Sequence, residues 1–389
     1  MASVTADPPL PDEILEDIFL RLDAAADLTR ASAACTSFRR VVSARRFLRL
    51  FRSLHARPLL ACIGSTYPEF YPAEPPHRSA PAAAALARAA DFTFSFFEAP
   101  NNWSVRDACN GRLLLSPRCY EPEPFEYLVV CDPLHRRYVQ IPPIPTDLAA
   151  ASSRRRRRHR ALEFEPFLDA ASEEEKEQEE GMPFRVICNV LYKSKVVALV
   201  FSSVTGKWRA AATFSYEYAA PFVRHYTHDC FYWTHCARNL MLVLNPREMK
   251  FSVVDLPPYN LHRAVNLRDR AIVDAGGGRL GLLTFDSEGR YLELYSKTMG
   301  NIDAEDWQHD KIIPLPDCHW YVVGAAEGYL VLHGIQRDWF TLSMKNLEKQ
   351  YFTVELKTFL VERLCTVHEH IHCAHPYASF PPPLSLPSI

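Results

Sequence analysis

The sequence has little of what would assign it to several large classes of protein. No run of about 18 consecutive apolar residues occurs, so no membrane-spanning helix is expected. The first residues, MASVTADPPLPDE, carry acids and prolines where an export signal needs an apolar stretch, and a chain that stays outside the secretory route is expected. No C-x-x-C pair is present, and the eleven cysteines are an odd number, which argues against a disulfide framework and a zinc ribbon. Reduced, mostly buried thiols are expected instead. Asn102-Trp103-Ser104 matches a glycosylation acceptor that a chain outside that route cannot use. The net charge of -2 gives no overall attraction to nucleic acid or membrane, and neither partner is expected. There is no G-x-S-x-G elbow, no P-loop and no prominent pair of spaced carboxylates, so nothing points to catalysis.

What is present divides the chain into regions. With 389 residues and 48% apolar content, a folded protein with a sizeable core is expected. The region 8–57 is helical. In PDEILEDIFLRL the residues Ile14, Leu15, Ile18, Phe19 and Leu22 fall on one continuous helical face, and Pro11, Asp12 and Glu13 suit a first turn. Asp27 can cap a second helix through Leu28, Ala31 and Cys35, and Thr36 or Ser37 a third through Phe38, Val41 and Val42. The periodicity resumes through Phe47, Leu48, Phe51 and Leu54. So short a unit makes a poor independent core and needs a partner or a neighbouring domain.

From 58 to 376 the pattern changes to β-branched and aromatic runs separated by turn residues. The segments EYLVVCDPLHRRYVQIP, ALVFSSVTGKWRAAA, LMLVLNPREMKFSVVDLP and LELYSKTMGNIDAEDWQHDKIIPLP each read as strand, turn, aromatic, strand, with a looser copy in FTLSMKNLEKQYFTVEL. Their spacing of about 40 to 50 residues is that of propeller blades. With DFTFSFF ahead of them, about six blades fit. The expected fold is an α+β multidomain chain: a small helical domain, 8–57, then a mainly antiparallel β-propeller, 58–376, and a Pro-rich tail, 377–389. A strand from Arg363 to Cys373 is expected to close the ring by pairing with Leu59–Ile63 or Asp91–Phe97.

The stretch 150–181 holds RRRRRHR, Arg154 to Arg160, and EEEKEQEE, Glu173 to Glu180, and is expected to be a disordered, solvated insert between blades. The arginines fit a nuclear import signal, although the downstream glutamates can neutralise them. Three further motifs invite chemistry. HEHIH, with His368, Glu369 and His372, satisfies the zinc-peptidase pattern H-E-x-x-H, but its alternation reads as a strand that puts Glu369 opposite the histidines. No Asp or Glu follows to supply a third ligand. RHYTHDCFYWTHC adds His225, His228, Cys230, His235 and Cys236, which read as strand residues before metal ligands. Gly276, Gly278 and Gly281 spell G-x-G-x-x-G, yet a strand and a turn follow where a dinucleotide site needs a helix. No metal and no cofactor are expected.

LPDEILEDIFLRL, DLTRASAAC and CTSFRRVV together resemble the F-box, the helical module of substrate receptors in cullin-type ubiquitin ligases. The matching positions are Leu10, Pro11, Glu13, Leu15, Ile18, Leu22, Asp27, Leu28, Cys35, Phe38 and Arg39, while Phe38, Asp23 and Ala34 stand where the family often has Trp, Pro and Val. RRFLRLFRSLHARPLL, ACNGRLLLS and VVCDPLHRRYVQIPPIP are similar in style to the plant F-box proteins with an F-box-associated β-propeller. The resemblance implies a non-catalytic subunit of the cytoplasm or nucleus. Leu10, Pro11, Ile14, Leu15, Ile18, Phe19, Leu22, Leu28, Cys35 and Phe38 would meet a Skp-type adaptor and, through it, a cullin. The propeller would bind an unidentified target protein. The alternatives are a propeller scaffold outside any ligase and, remotely, a zinc hydrolase through His368 and His372.

Overall fold

The computed structural model describes residues 10–22, 25–66, 68–99, 102–118, 127–150, 163–169, 183–216, 222–235, 239–257, 269–286, 288–298, 307–326, 328–336, 349–367, 374–382, 384, 387 and 389. Four helices come first: α1 (Asp12–Leu20), α2 (Ala25–Ala34), α3 (Thr36–Val42) and α4 (Arg45–Leu54). Pro11 immediately precedes α1, and Asp12 and Glu13 face the positive end of its dipole. Two caps differ from expectation. Asp27 lies inside the first turn of α2, where its carboxylate pairs with Arg30 at 2.6 Å. Cys35, one residue ahead of Thr36, caps α3, its Sγ accepting the Phe38 N–H at 3.4 Å.

Six antiparallel sheets follow in a ring. The first joins both ends of the chain: β1 (Leu59–Gly64) lies between β2 (Phe70–Pro72) and the last strand, β23 (Ala374–Ala378). The second holds β3 (Trp103–Cys109), β4 (Arg112–Pro117), β5 (Leu128–Asp132) and β6 (Arg137–Ile141). The third holds β7 (Glu163–Leu168), β8 (Arg185–Leu191), β9 (Lys195–Ser202) and β10 (Lys207–Ser215). The fourth holds β11 (Phe222–Thr227), β12 (Cys230–His235), β13 (Leu240–Asn245) and β14 (Lys250–Asp255). The fifth holds β15 (Arg270–Asp274), β16 (Arg279–Phe285), β17 (Tyr291–Thr298) and β18 (Gln308–Pro314). The sixth holds β19 (Cys318–Ala326), β20 (Tyr329–Gln336), β21 (Lys349–Glu355) and β22 (Val361–Val367). The first strand of each four-stranded sheet, together with β23, forms the inner wall of the ring, with apolar cores between successive blades.

The recurring strand, turn, aromatic, strand pattern is the outer hairpin of a blade. Asp132 closes one such turn by accepting the N–H groups of Leu134 and His135, both at 3.1 Å, and Asn245 closes another with Arg247 and Glu248 at 2.9 and 3.2 Å. Each turn ends on a left-handed residue, Arg136 or Met249, that aims the chain into the fourth strand. The looser fifth copy is offset. KQYFTVE is the third strand of its blade, while FTLSM lies outside the described residues. The G-x-G-x-x-G stretch is the β15–β16 hairpin, as its sequence context predicts.

Four expectations need correction. The strand expected over Arg363–Cys373 ends at Val367, because β22 is the rim strand of blade six and the chain must cross to the inner wall before β23 pairs with β1. His368, Glu369 and His372 lie outside the described residues. Asp91–Phe97 is not a strand, since the Asp91 carboxylate takes the N–H groups of Thr93 and Ser95 and folds the segment into turns. The stretch 150–181 is not wholly an insert, because β7 lies within it, pairs with β8 and buries Phe167 and Leu168. In the sequence β7 also separates the two charge runs, which lie outside the described residues. Finally, the boundary expected at 376 falls inside β23: Tyr377 and Ala378 belong to that strand, and Phe380 and Leu384 of the tail are buried.

Ring closure has a second fastening. The segment after β2 runs along blade six, with the Glu74 N–H on the Leu364 carbonyl at 2.7 Å and Arg78 on Glu355 and Glu362, both at 3.0 Å. α5 (Ala80–Ala89) continues from it and buries Ala83 and Leu86 against the first blade.

Candidate docking surface

The apolar residues of the first helix serve two sides of it. Leu15 and Phe19, each 4% exposed, point inward with Leu28, Val41, Val42, Phe47, Leu48 and Phe51. Phe38 meets Phe19 edge-on at 5.1 Å and, like Leu22, packs partly buried on that core. A fully buried Leu or Phe stabilises a core by about 1.5–3 kcal/mol, so these residues hold the helices together. Leu10, Ile14 and Ile18 are different. They recur every fourth residue and are 53%, 47% and 46% exposed, an apolar stripe with Pro11 exposed at its start. The face expected to be continuous is therefore split, with Leu15, Phe19 and Leu28 inside and Leu10, Ile14 and Ile18 outside. Cys35 is exposed, Ala34 is exposed and Asp23 lies outside the described residues. The sequence reading placed Leu54 on the inward periodicity of α4 and missed Leu50; the two are 61% and 41% exposed, and their four-residue spacing marks a second apolar strip.

The second notable constellation lines the inner wall. Arg224 on β11 bridges two other blades, reaching Asp107 on β3 at 2.6 Å and Glu165 on β7 at 3.3 Å, with its guanidinium 4.4 Å from the Phe167 ring centroid. Trp233 donates its indole N–H to Glu165 at 2.9 Å, and the Leu168 N–H donates to Asp107 at 2.8 Å. Burial pushes the Glu165 carboxyl up to about 7, against the pull of Arg224 and Trp233. Burial pushes His375 on β23 down to about 4. Two carboxylates around one guanidinium make a fastening between three blades. The segment EFEPFL that carries Glu165 has neither a regular alternation nor a continuous apolar run, and it was read as part of a charged insert.

His225 and His228 of RHYTHDCFYWTHC do not converge. His225 is buried, pushed down to about 3 by that burial and by Arg224, and neither ring nitrogen has a partner among the described residues. His228 occupies the β11–β12 turn and approaches the Arg279 carbonyl at 3.2 Å. Cys236 lies outside the described residues. Among the described residues no group of three His, Cys, Asp or Glu side chains is placed to hold a metal ion, and no helix is long and apolar enough to cross a membrane.

The architecture is a short helical region followed by a six-blade antiparallel β-propeller. The helical region, residues 8–57, matches the F-box-like family. No curated protein matches the sequence. Among solved structures the chain is similar to one described as a nidogen/laminin complex, at 11% identity and a TM-score of 0.41, over 81% of this chain and 95% of that one. It is similar to TolB from Acinetobacter baumannii at 9% identity and a TM-score of 0.40, over 73% of this chain and 59% of that one. A structure from a study of two prolyl endopeptidases is 10% identical over 69% of this chain, with a TM-score of 0.33, and this chain spans 42% of its length. Likenesses this distant say nothing about activity or partners.

Proposed function

We propose that this chain is the substrate-recognition subunit of a Skp-cullin-F-box type ubiquitin ligase. The observation that carries the reading is the stripe of Leu10, Ile14 and Ile18, left exposed within the residues that match the F-box-like family. A helical unit that already fills its interior and still exposes a regular apolar row has a surface suited to burial against a partner. The proposed partner is a Skp-type adaptor, and the cullin would join through it. Leu15, Phe19 and Leu28 support the stripe from within and do not touch the adaptor.

The propeller would hold the target protein. The tail joins the helical region to the side of the ring that carries the β3–β4 turn, where the Tyr377 hydroxyl donates to the Gly111 carbonyl at 2.9 Å. The opposite mouth of the ring is the proposed target-binding face. Ubiquitin transfer would be performed by other subunits, so the chain requires no nucleophile, metal or cofactor of its own. Cytoplasm and nucleus are the proposed compartments.

Affinity purification of the full chain from cells of its source tests the reading. Recovery of a Skp-type adaptor and a cullin is expected, and targets should accumulate among proximity-labelled proteins under proteasome inhibition. A wild-type chain that recovers no adaptor would reject the ligase assignment and favour a propeller scaffold.

A further inference from the structure

The core of the helical region is completed from the far end of the chain. Of the ten buried residues in that core among the described residues, Phe380 and Leu384 follow the last strand. The Phe380 ring meets Phe51 edge-on at 6.0 Å, and the guanidinium carbons of Arg52 and Arg57 lie 5.7 and 5.9 Å from its centroid. A turn with the Leu384 N–H on the Pro381 carbonyl at 2.8 Å brings Leu384, fully buried, into the same core.

These residues sit where they do because β23 is seated. Ala378 pairs with Leu59, the Ser379 N–H donates to the Pro58 carbonyl at 3.2 Å, and Tyr377 donates to the Gly111 carbonyl. Gly111 fits the seat for two reasons. Its φ of +79° is left-handed, and a Cβ there would stand 2.8 Å from the Ser379 Oγ. Phe380 and Leu384 therefore reach the helical core from a strand end that is held against β1 and Gly111.

We propose that Ser379, Phe380 and Leu384 form a clasp that makes folding of the helical region conditional on closure of the propeller ring. A unit of this size has little core to spare, and without the clasp it loses two of the ten described side chains that fill it. A chain with an open ring then lacks an ordered α1 on which to display Leu10, Ile14 and Ile18. That last consequence rests on the proposed docking role. The clasp itself does not.

Hydrogen exchange read by mass spectrometry on the full-length chain, with no adaptor present, tests the clasp separately from docking. In Phe380→Ala/Leu384→Ala the amides of α1 and α4 are expected to exchange about a hundredfold faster than in wild type, with β13 and β16 unchanged. Phe380→Leu, a milder change for the case in which the double variant fails to fold, should accelerate the same helices by a smaller factor. Gly111→Val alters the seat of β23 and no helical residue, and should loosen α4 in step with β1. Unchanged protection of α1 and α4 in the Phe380 variants would overturn the proposal. So would a Gly111→Val chain in which β1 and β23 open while the helices stay protected.

Discussion

Replacing Glu165 by Gln should change how stability depends on pH more than it changes stability at any one pH. The carboxyl sits at about 7 in the fold against an ordinary 4.5, held up by burial. Because the folded state keeps the proton longer than the unfolded chain, the carboxyl contributes stability that is fully present below 4.5 and is lost as pH rises to about 7. At about 1.36 kcal/mol per pH unit the loss is about 3 kcal/mol, reduced to about 2 kcal/mol by the part of the side chain left open to the channel. The facing groups are Arg224, Trp233, Asp107 and Glu163. Gln keeps an acceptor for the Trp233 indole and carries no charge to desolvate. His225 and His375 act in the other direction, their stability being lost as pH falls below 6.5, but they are common to both proteins and cancel in the difference. Urea unfolding at pH 5 and pH 8 should show the variant gaining about 2 kcal/mol on wild type between the two. A difference that does not move with pH would refute the assignment of a protonated, buried Glu165.

Two other substitutions probe the ring. Arg224→Met leaves Asp107 and Glu165 without their shared cation and should cost about 3–5 kcal/mol by denaturant unfolding at pH 8, with a smaller loss at pH 5.5, where Glu165 takes up its proton; a loss under about 1 kcal/mol at pH 8 would contradict the three-blade fastening. Gly334→Ala places a Cβ 2.8 Å from Cζ3 of Trp320 and should cost about 1–3 kcal/mol while shifting tryptophan fluorescence; an unshifted spectrum at full stability would show that the ring has room to move.

The outer hairpins were legible because their third strands are apolar runs and their turns carry Asp132 or Asn245 at the start. The inner strands were harder to read. β7 reads EFEPFL because it serves an ion pair on the channel side and a core on the other, so neither alternation nor a continuous apolar run marks it. The ring-closing pairing was assigned to Arg363–Cys373 and not to β23, because ERLCTVHEHIHC reads as one alternating strand while AHPYA, with its proline, does not. On α1 the periodicity gathered the apolar residues but could not divide Ile14 and Ile18 from Leu15 and Phe19. That division depends on where α3, α4 and the tail pack. The place of Phe380 and Leu384 was hidden by the prolines around them, which give the tail no periodicity.

The measurement that bears most directly on the account is adaptor affinity of Ile18→Asp beside wild type, by calorimetric titration of purified chains. Ile18 is 46% exposed, so the change should leave circular dichroism and melting unaltered in the free protein. On docking, an unpaired carboxylate would enter an apolar contact, costing about 2 kcal/mol or more, roughly a thirtyfold loss of affinity. Equal affinity of the two proteins for the adaptor, or no binding by wild type, would contradict the claim that the Leu10, Ile14 and Ile18 stripe is the docking surface of a ligase receptor.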